Sequence, residues 1–190
     1  MMEFLKKAYS IFIDAMQTIL LAASIFLVIY IFILRPFQVS GDSMFPTYKN
    51  KEYILTNLIG LRFGSPIRGD VIVFRAPVDL DKDFIKRIIG EPGDTVLVKD
   101  GFVYVNGVLL DESAYLASDV RTYGGRFLQD GVAVVVPPGD YLVMGDNRPY
   151  SSDSREWGFL KKSEVIGKSF FVYWPVNAMR PVINPFEEKK

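Results

Sequence analysis

A long apolar run near the start of the chain contrasts with everything that follows it. Twenty consecutive residues from Ala15 to Leu34 carry no charge, and Asp14 and Arg35 bracket them. As a helix rising about 1.5 Å per residue, the run spans about 30 Å, the thickness of a bilayer's hydrocarbon core. The pattern therefore predicts a transmembrane helix over 15–34.

A buried core helix and a cleaved signal peptide are the two other interpretations of this run. A small domain rarely buries a helix that is apolar on every face. The apolar part of a signal peptide is only about 7 to 15 residues long and ends at small residues, whereas "RPFQVSG" follows this run. We therefore predict an uncleaved anchor, although the positive charges on its two sides are too evenly balanced to orient it.

After residue 35 the pattern changes to short apolar runs separated by Gly, Pro, Asn and Asp, which is typical of an all-β domain. Two tight turns, Asp100-Gly101 and Asn106-Gly107, divide one of these runs into a meander. We predict a mostly β fold with an antiparallel sheet over 35–180, an irregular polar excursion over 111–130 and a tail over 181–190. The predicted strands lie at 71–74, 84–90, 95–110, 132–136, 141–145 and 165–174.

Composition restricts the chemistry available to the 190-residue chain. Lys+Arg and Asp+Glu are both 22, so the formal net charge is zero, and without a long basic run no nucleic-acid partner is expected. The chain has no cysteine and no histidine, which excludes disulfides, thiol nucleophiles, imidazole bases and almost every zinc site. A covalent catalyst would need Ser, Thr, Lys or a carboxylate as nucleophile, and Lys, a carboxylate or a terminal amine as base.

The motif "SGDSMFPT" (40–47) contains the first candidate residue, Ser43. Gly41 allows close backbone approach, and Pro46 fixes a turn. The hydroxyl and the backbone N–H of Ser43 could then both face a substrate. Serine in a turn of this composition is usually only a turn former, so this motif alone does not identify a nucleophile.

A second motif, "DFIKRIIGEPGD" (83–94), contains a lysine on an apolar strand face. With a two-residue period, Lys86 shares its face with Phe84 and Ile88, and Arg87 points the opposite way. Burial can lower a lysine pKa far enough to leave a neutral amine, which is a general base. The alternative is a snorkelling lysine whose charged head stays in water.

The third motif, "GDNRPYSSDSREWG" (145–158), predicts a polar loop between two apolar strands. A hydroxyl such as that of Ser151 could orient an amine, and Asp153 could pair with Arg155 or with Arg87. Support of this kind is what a catalytic pair needs. The acidic residues lack the regular spacing of a calcium loop, so no metal is predicted.

Together with "RGDVIVF" (68–74), these motifs resemble those of the type I signal peptidases, which are membrane-anchored serine proteases with a Ser-Lys dyad. They occur in the family's order, and the resemblance extends over residues 11–175. It implies that Ser43 is the nucleophile and Lys86 the general base in a mostly antiparallel β-fold that needs no cofactor. It also implies that Ser151 orients the lysine and that Asp153 and Arg155 form a supporting ion pair.

The same resemblance implies hydrolysis of the bond after the Ala-x-Ala-like end of a secretory signal peptide, through an acyl-enzyme. The Ser43 backbone N–H would hold the oxyanion. Some relatives add a serine hydroxyl two positions before the nucleophile, where this chain has Gly41, and the second donor is left open. The substrate is expected to dock as an added β-strand, in pockets lined by Val39, Gly41, Met44, Tyr48 and Ile85.

The expected partners are secretory preproteins and membrane lipid. The expected location is the cell membrane, with residues 1–14 cytoplasmic and the catalytic domain extracytoplasmic. Ser43 lies eight residues after Arg35, so a tether of about 3.3 Å per residue keeps it within about 26 Å of the membrane surface. The alternatives are a specialised relative that processes pilin or transfer proteins and a catalytically inert, membrane-anchored binding domain.

Overall fold

The apolar run lies in one long N-terminal helix. The computed structural model describes residues 1–60 and 64–187. Helix α1 (Met2–Phe32) contains an 18-residue window of mean hydropathy 2.2, none of it buried, so it is long and apolar enough to cross a membrane. The helix begins before residue 15 because 2–14 contain neither Gly nor Pro. It ends at Phe32 rather than 34 because Pro36 disfavours helical backbone in the residue before it.

The rest of the described chain is mostly β-structure, as predicted, and all of its strand pairs are antiparallel. A short helix, α2 (Ser154–Trp157), and three 3-10 turns (Arg148–Tyr150, Lys162–Glu164 and Val176–Ala178) interrupt the strands. The strands are β1 (Leu34–Gln38), β2 (Tyr53–Asn57), β3 (Val71–Ala76), β4 (Asp79–Gly90), β5 (Thr95–Lys99), β6 (Phe102–Val105), β7 (Val108–Leu109), β8 (Val134–Val135), β9 (Asp140–Met144), β10 (Leu160–Lys161), β11 (Val165–Trp174) and β12 (Arg180–Pro181).

Two sheets share these strands. The larger has the order β1-β2-β11-β3-β4-β9-β10, with β12 added to β11, and the smaller has the order β7-β6-β5-β8. Strand β1 is at the edge of the larger sheet. The proline of "LRPFQ", which has no N–H to donate, is tolerated there because an edge strand pairs on one side only. The alternation of apolar and polar residues did not predict β1, because that proline and the arginine before it interrupt it. It did not predict β2 either.

The centre of the larger sheet is buried on both faces. Val71 and Val73 of β3 pack into one apolar cluster with Met44 and Tyr48. The alternate residues of β3, Ile72 and Phe74, belong to a second cluster on the opposite face. Because β4 pairs with β3 along most of its length, the strand that contains Lys86 is held in the buried centre of the larger sheet.

The excursion over 111–130 has no helix or strand, as predicted, but it is attached firmly to the domain. Leu128 is fully buried in the cluster beneath the smaller sheet. The backbone N–H of Thr122 donates to the Gly101 carbonyl, 2.9 Å away. The predicted tail is also docked as far as Asn184, whose side chain donates to the Asp70 carboxylate at 2.8 Å.

Candidate active site

Ser43 lies in the loop that follows β1, and this loop is held at both ends. Gly41 has a φ of +93°, which a residue with a side chain rarely adopts. Its N–H donates to Asn50 Oδ1 at 3.1 Å. The Ser43 carbonyl accepts from the Asn147 N–H at 3.0 Å. The backbone on either side of the hydroxyl is therefore fixed.

Lys86 reaches Ser43 from strand β4. Its Nζ lies 2.7 Å from Ser43 Oγ and donates to the Ile85 carbonyl at 2.9 Å. The residue is only 3% exposed, so it is not the snorkelling lysine that the sequence left possible. The two residues predicted to form the dyad are in hydrogen-bonding contact.

Burial makes the Lys86 amine weakly basic. Loss of solvation lowers its pKa from 10.5 to about 8, against the opposing effect of the Asp153 and Asp146 carboxylates. Arg155 adds a smaller effect in the same direction as burial. A lysine with this pKa is neutral in a substantial fraction of molecules near physiological pH, and a neutral amine can accept the serine proton.

Arg87, next to the lysine, points to the other side of the sheet and is buried. It donates to both carboxylate oxygens of Asp146, at 2.8 and 2.7 Å, and to the Gly69 carbonyl at 2.7 Å. Its guanidinium also lies 4.1 Å from the centre of the Tyr115 ring. Arg87 therefore pairs with Asp146 and not with Asp153, which settles the alternative that the sequence left open.

Asp153 pairs with Arg155, as the resemblance implied. Arg155 Nε and Nη2 donate to the two carboxylate oxygens at 2.8 and 2.9 Å. The Gly145 N–H donates to the same carboxylate at 3.0 Å. Burial by itself would raise the pKa of Asp153, but the arginine and the hydrogen bonds outweigh it and hold the pKa below its usual value.

A third buried arginine, Arg148, attaches the excursion to this loop. Its guanidinium donates to the carboxylate of Glu112 and to the hydroxyl of Thr122. Its Nε donates to the Gly145 carbonyl at 3.0 Å. Its own carbonyl accepts from Arg155 Nη2 at 2.8 Å. The excursion thus helps to fix the loop that supports the dyad.

Ser151 is half-buried, but its hydroxyl oxygen is inaccessible to solvent and makes no hydrogen bond with the described residues, Lys86 Nζ included. Its proximity to Asp153 contributes slightly to the low pKa of that carboxyl group. A Cβ at Gly145 would collide with Ser151 Oγ and with the Ser43 carbonyl, so these backbones are packed closely. The role of Ser151 in orienting the lysine stays a prediction.

A groove of about 260 Å³ runs along the dyad. Of the five residues predicted to line substrate pockets, Val39 and Ile85 line this groove. The other three predictions are corrected by the structure: Met44 and Tyr48 are core residues beneath the groove, and Gly41 is outside its lining. The lining consists of Phe37, Gln38, Val39, Ser40, Ser43, Ile54, Val73, Asp83, Phe84, Ile85, Lys86 and Ser152.

The sequence of residues 12–174 matches the family described as "Signal peptidase, peptidase S26". The chain belongs to this signal peptidase family. The match contains the loop of Ser43, the strand of Lys86 and the polar loop of Asp153. Like other members, this signal peptidase is a hydrolase of the serine peptidase class.

Similar proteins cover nearly the whole chain. Signal peptidase IB of Staphylococcus aureus (strain Mu50) is 35% identical over 190 residues, which cover 93% of this chain and 98% of the relative. Signal peptidase I S of Bacillus subtilis (strain 168) is 40% identical over 173 residues, 86% of this chain and 90% of the relative. A crystal structure of a signal peptidase I from Enterococcus faecalis V583 is 35% identical and covers 55% of this chain and 97% of that one, with a TM-score of 0.47.

The sequence assigned no role to four residues that fix the loops around Ser43 and Lys86 in the structure. Asp146, Asn147 and Arg148 were part of the third motif, but ordinary loop chemistry accounts for polar residues there. Glu112 lies 36 residues before its partner Arg148, in a segment without any periodic pattern. Only the unusual density of charged and amide residues after β9 could have drawn attention to the first three.

Proposed function

We propose that this protein removes signal peptides from exported preproteins with a Ser43-Lys86 dyad, anchored in the cell membrane by α1 with its catalytic domain extracytoplasmic. The observation that carries the proposal is the 2.7 Å contact between Lys86 Nζ and Ser43 Oγ. It combines with the burial of the lysine and its pKa of about 8. A nucleophile and a base in direct contact are the minimum for acyl transfer without histidine.

In the first half of the reaction, neutral Lys86 takes the proton of Ser43 Oγ as the oxygen attacks the carbonyl carbon of the scissile bond. The tetrahedral intermediate collapses, and the lysine ammonium gives its proton to the leaving amine. The mature protein departs, and the signal peptide stays bound to Ser43 as an ester. In the second half, Lys86 takes a proton from water as the water oxygen attacks the ester carbonyl. The lysine ammonium then gives this proton to Ser43 Oγ as the ester bond breaks, and the signal peptide leaves with a free carboxylate end.

The Ser43 N–H is the proposed oxyanion donor. No described residue accepts a hydrogen bond from it, so it is available to a substrate oxygen. The Gly41 N–H is not available in this way, since it already donates to Asn50 Oδ1. Removal of an oxyanion donor typically costs about 3 to 4 kcal/mol of transition-state stabilisation.

The groove suits an extended peptide that adds to the sheet. Residues at the end of β1 and at 83–86 of β4 line its two sides. The outer edge of β1 pairs with no described strand, and β9 pairs with β4 only from Arg87 onward. Both sides therefore offer backbone groups to a bound strand. The apolar walls formed by Phe37, Val73 and Ile85 leave a groove that favours small side chains next to the scissile bond.

The groove is also close to the end of the anchor. Strand β1 begins at Leu34, two residues after α1 ends. Its five residues span roughly 16 Å at about 3.3 Å each. A bond presented beside a short apolar helix at the membrane surface is within this reach, and the cleavage site of a signal peptide is such a bond.

The test uses the full chain in membranes with a radiolabelled preprotein and point variants. Wild type should cleave after the small residue, and Ser43→Ala and Lys86→Ala should each be inactive. Ser163→Ala and Lys99→Ala are matched controls at exposed positions and should keep wild-type rates. Full activity of either dyad variant would refute the mechanism.

The substrate is tested separately. A panel of secretory preproteins and prepilins distinguishes general signal peptide removal from a specialised activity. If no member of the panel is cleaved by wild-type protein that binds it, the chain is an inert binding domain instead.

A further inference from the structure

The peptide group between Asp42 and Ser43 has the proposed oxyanion donor at one end and the Asp42 carbonyl at the other. Because a peptide group is planar, a restraint on the carbonyl is also a restraint on the direction of the N–H. The Asn147 side chain donates from Nδ2 to this carbonyl at 3.0 Å. The Phe45 N–H donates to the same oxygen at 3.1 Å, within the turn.

Asn147 also holds the next peptide group. Its backbone N–H donates to the Ser43 carbonyl at 3.0 Å. One residue therefore restrains the peptide groups on both sides of the nucleophile, through its side chain before Ser43 and through its backbone after it. No other described side chain donates to either carbonyl.

The position of Asn147 is itself well determined. It precedes the 3-10 turn Arg148–Tyr150 and follows Asp146, which is held by Arg87. Arg148, on its other side, is 1% exposed and bound to Glu112. Asn147 thus projects from a short segment whose two neighbours are locked by buried ion pairs, so its amide can act as a rigid support.

The orientation of this N–H is important because the position two residues before Ser43 supplies no second donor. Gly41 has no hydroxyl, and its N–H is engaged by Asn50. A hydrogen bond to a carbonyl also polarises the peptide group and strengthens its N–H as a donor, by roughly 10–30% per bond. The side chain of Asn147 can therefore affect both the direction and the strength of this donor.

We propose that Asn147 is a positioning residue for the oxyanion hole, acting through the Asp42–Ser43 peptide group. This role rests on the acyl-enzyme function proposed above. It predicts that loss of the Asn147 amide weakens binding of the transition state and leaves binding of the substrate and proton transfer by Lys86 unchanged.

The experiment compares full-length Asn147→Ala and Asn147→Asp with wild type in detergent micelles, with Asn177→Ala as a control at an exposed asparagine. The expected result for Asn147→Ala is a fall in kcat of about 10- to 100-fold, which is part of the 10²–10³ seen when a donor is removed. KM should stay within about twofold, and the midpoint of the pH profile should not move. Asn147→Asp, of the same shape, should lose at least as much because its oxygen faces the Asp42 carbonyl.

A second measurement separates positioning from a general structural role. A substrate-derived peptide aldehyde forms a tetrahedral adduct with Ser43, and the corresponding alcohol cannot. Asn147→Ala should weaken aldehyde binding about 10-fold or more and leave alcohol binding unchanged. Equal weakening of both ligands, a KM effect without a kcat effect, or unchanged kinetics would each overturn the proposal.

The function proposed above fails by a different result. That failure would be seen as cleavage by Ser43→Ala, whatever Asn147 does. Thermal unfolding of each variant shows whether a loss of activity is explained by a smaller fraction of folded protein. If Asn147→Ala proves unstable, the isosteric Asp variant and the ratio of aldehyde to alcohol affinity still test whether Asn147 positions the N–H.

Discussion

The buried lysine should make the protein less stable than it would be with an apolar side chain in its place. Lys86 is 3% exposed, and its pKa falls from 10.5 to about 8 on folding. Each tenfold change in proton affinity corresponds to about 1.4 kcal/mol, so keeping this lysine charged in the folded protein costs about 3 kcal/mol. We therefore expect Lys86→Met, which removes the amine but is similar in size, to raise the free energy of unfolding at pH 7.

The size of this gain depends on pH in a defined direction. The folded state has the lower pKa, so its penalty is complete below about pH 8 and disappears as the pH approaches 10.5. Methionine also loses the hydrogen bonds to the Ile85 carbonyl and to Ser43 Oγ, worth about 1 kcal/mol each. The net gain should be about 1 kcal/mol at pH 7, or roughly 2 to 4 °C in Tm, and close to zero at pH 9.

Thermal unfolding of the full chain in detergent micelles, followed by the fluorescence of Trp157 and Trp174, measures this difference. Lys99→Met, at an exposed lysine of β5, is the matched control and should leave Tm unchanged at both pH values. Equal Tm values for wild type and Lys86→Met at pH 7 would show that the lysine carries no such penalty. A gain that persists undiminished at pH 9 would show that its cause is packing and not the charge.

Three further predictions concern activity and the supporting loop. For wild type, kcat/KM for preprotein cleavage should rise with pH to a plateau, with a midpoint near the Lys86 pKa of about 8; a flat profile from pH 6 to 9.5 would contradict a lysine base. Glu112→Gln leaves the Arg148 cation buried without its counter-charge, so the free energy of unfolding should fall by about 3 to 5 kcal/mol, seen in thermal unfolding. Gly145→Ala places a Cβ against the Ser43 carbonyl, and kcat should fall by at least about tenfold; Gly64→Ala, whose Cβ makes only an ordinary contact at 3.7 Å, should not alter it.

The sequence predicted the parts of the site that depend on local pattern. The apolar run, the two-residue period around Lys86 and the turn of Ser43 each follow from neighbouring residues, and the order of the motifs identified the family. The helix that contains the apolar run extends further than that run, because helix propensity continues to the N-terminus. Strands β1 and β2 were missed, since short strands with a proline or with polar residues leave little periodic signal.

What the sequence could not predict is which charges pair in three dimensions. Arg87 could have joined Asp153, and only the antiparallel register of β3, β4 and β9 brings it to Asp146 instead. Met44 and Tyr48 flank the nucleophile in sequence, yet the turn directs both into the core, where the Tyr48 hydroxyl lies 2.7 Å from Ser169 Oγ. Residue spacing along a loop does not determine which side chains face a groove.

The distribution of buried charges explains why Lys86, the proposed base, has a lowered pKa. Buried arginines cannot lose their protons, and each of the three near the dyad has its own carboxylate: Arg87 with Asp146, Arg148 with Glu112 and Arg155 with Asp153. Among the described residues, Lys86 is the one buried charged side chain without an ion pair. Since an unpaired buried cation is costly, the lysine lowers that cost by releasing its proton. The ion pairs around it therefore do more than stabilise the loop. Each arginine partly neutralises a nearby carboxylate that would otherwise favour the charged form of Lys86.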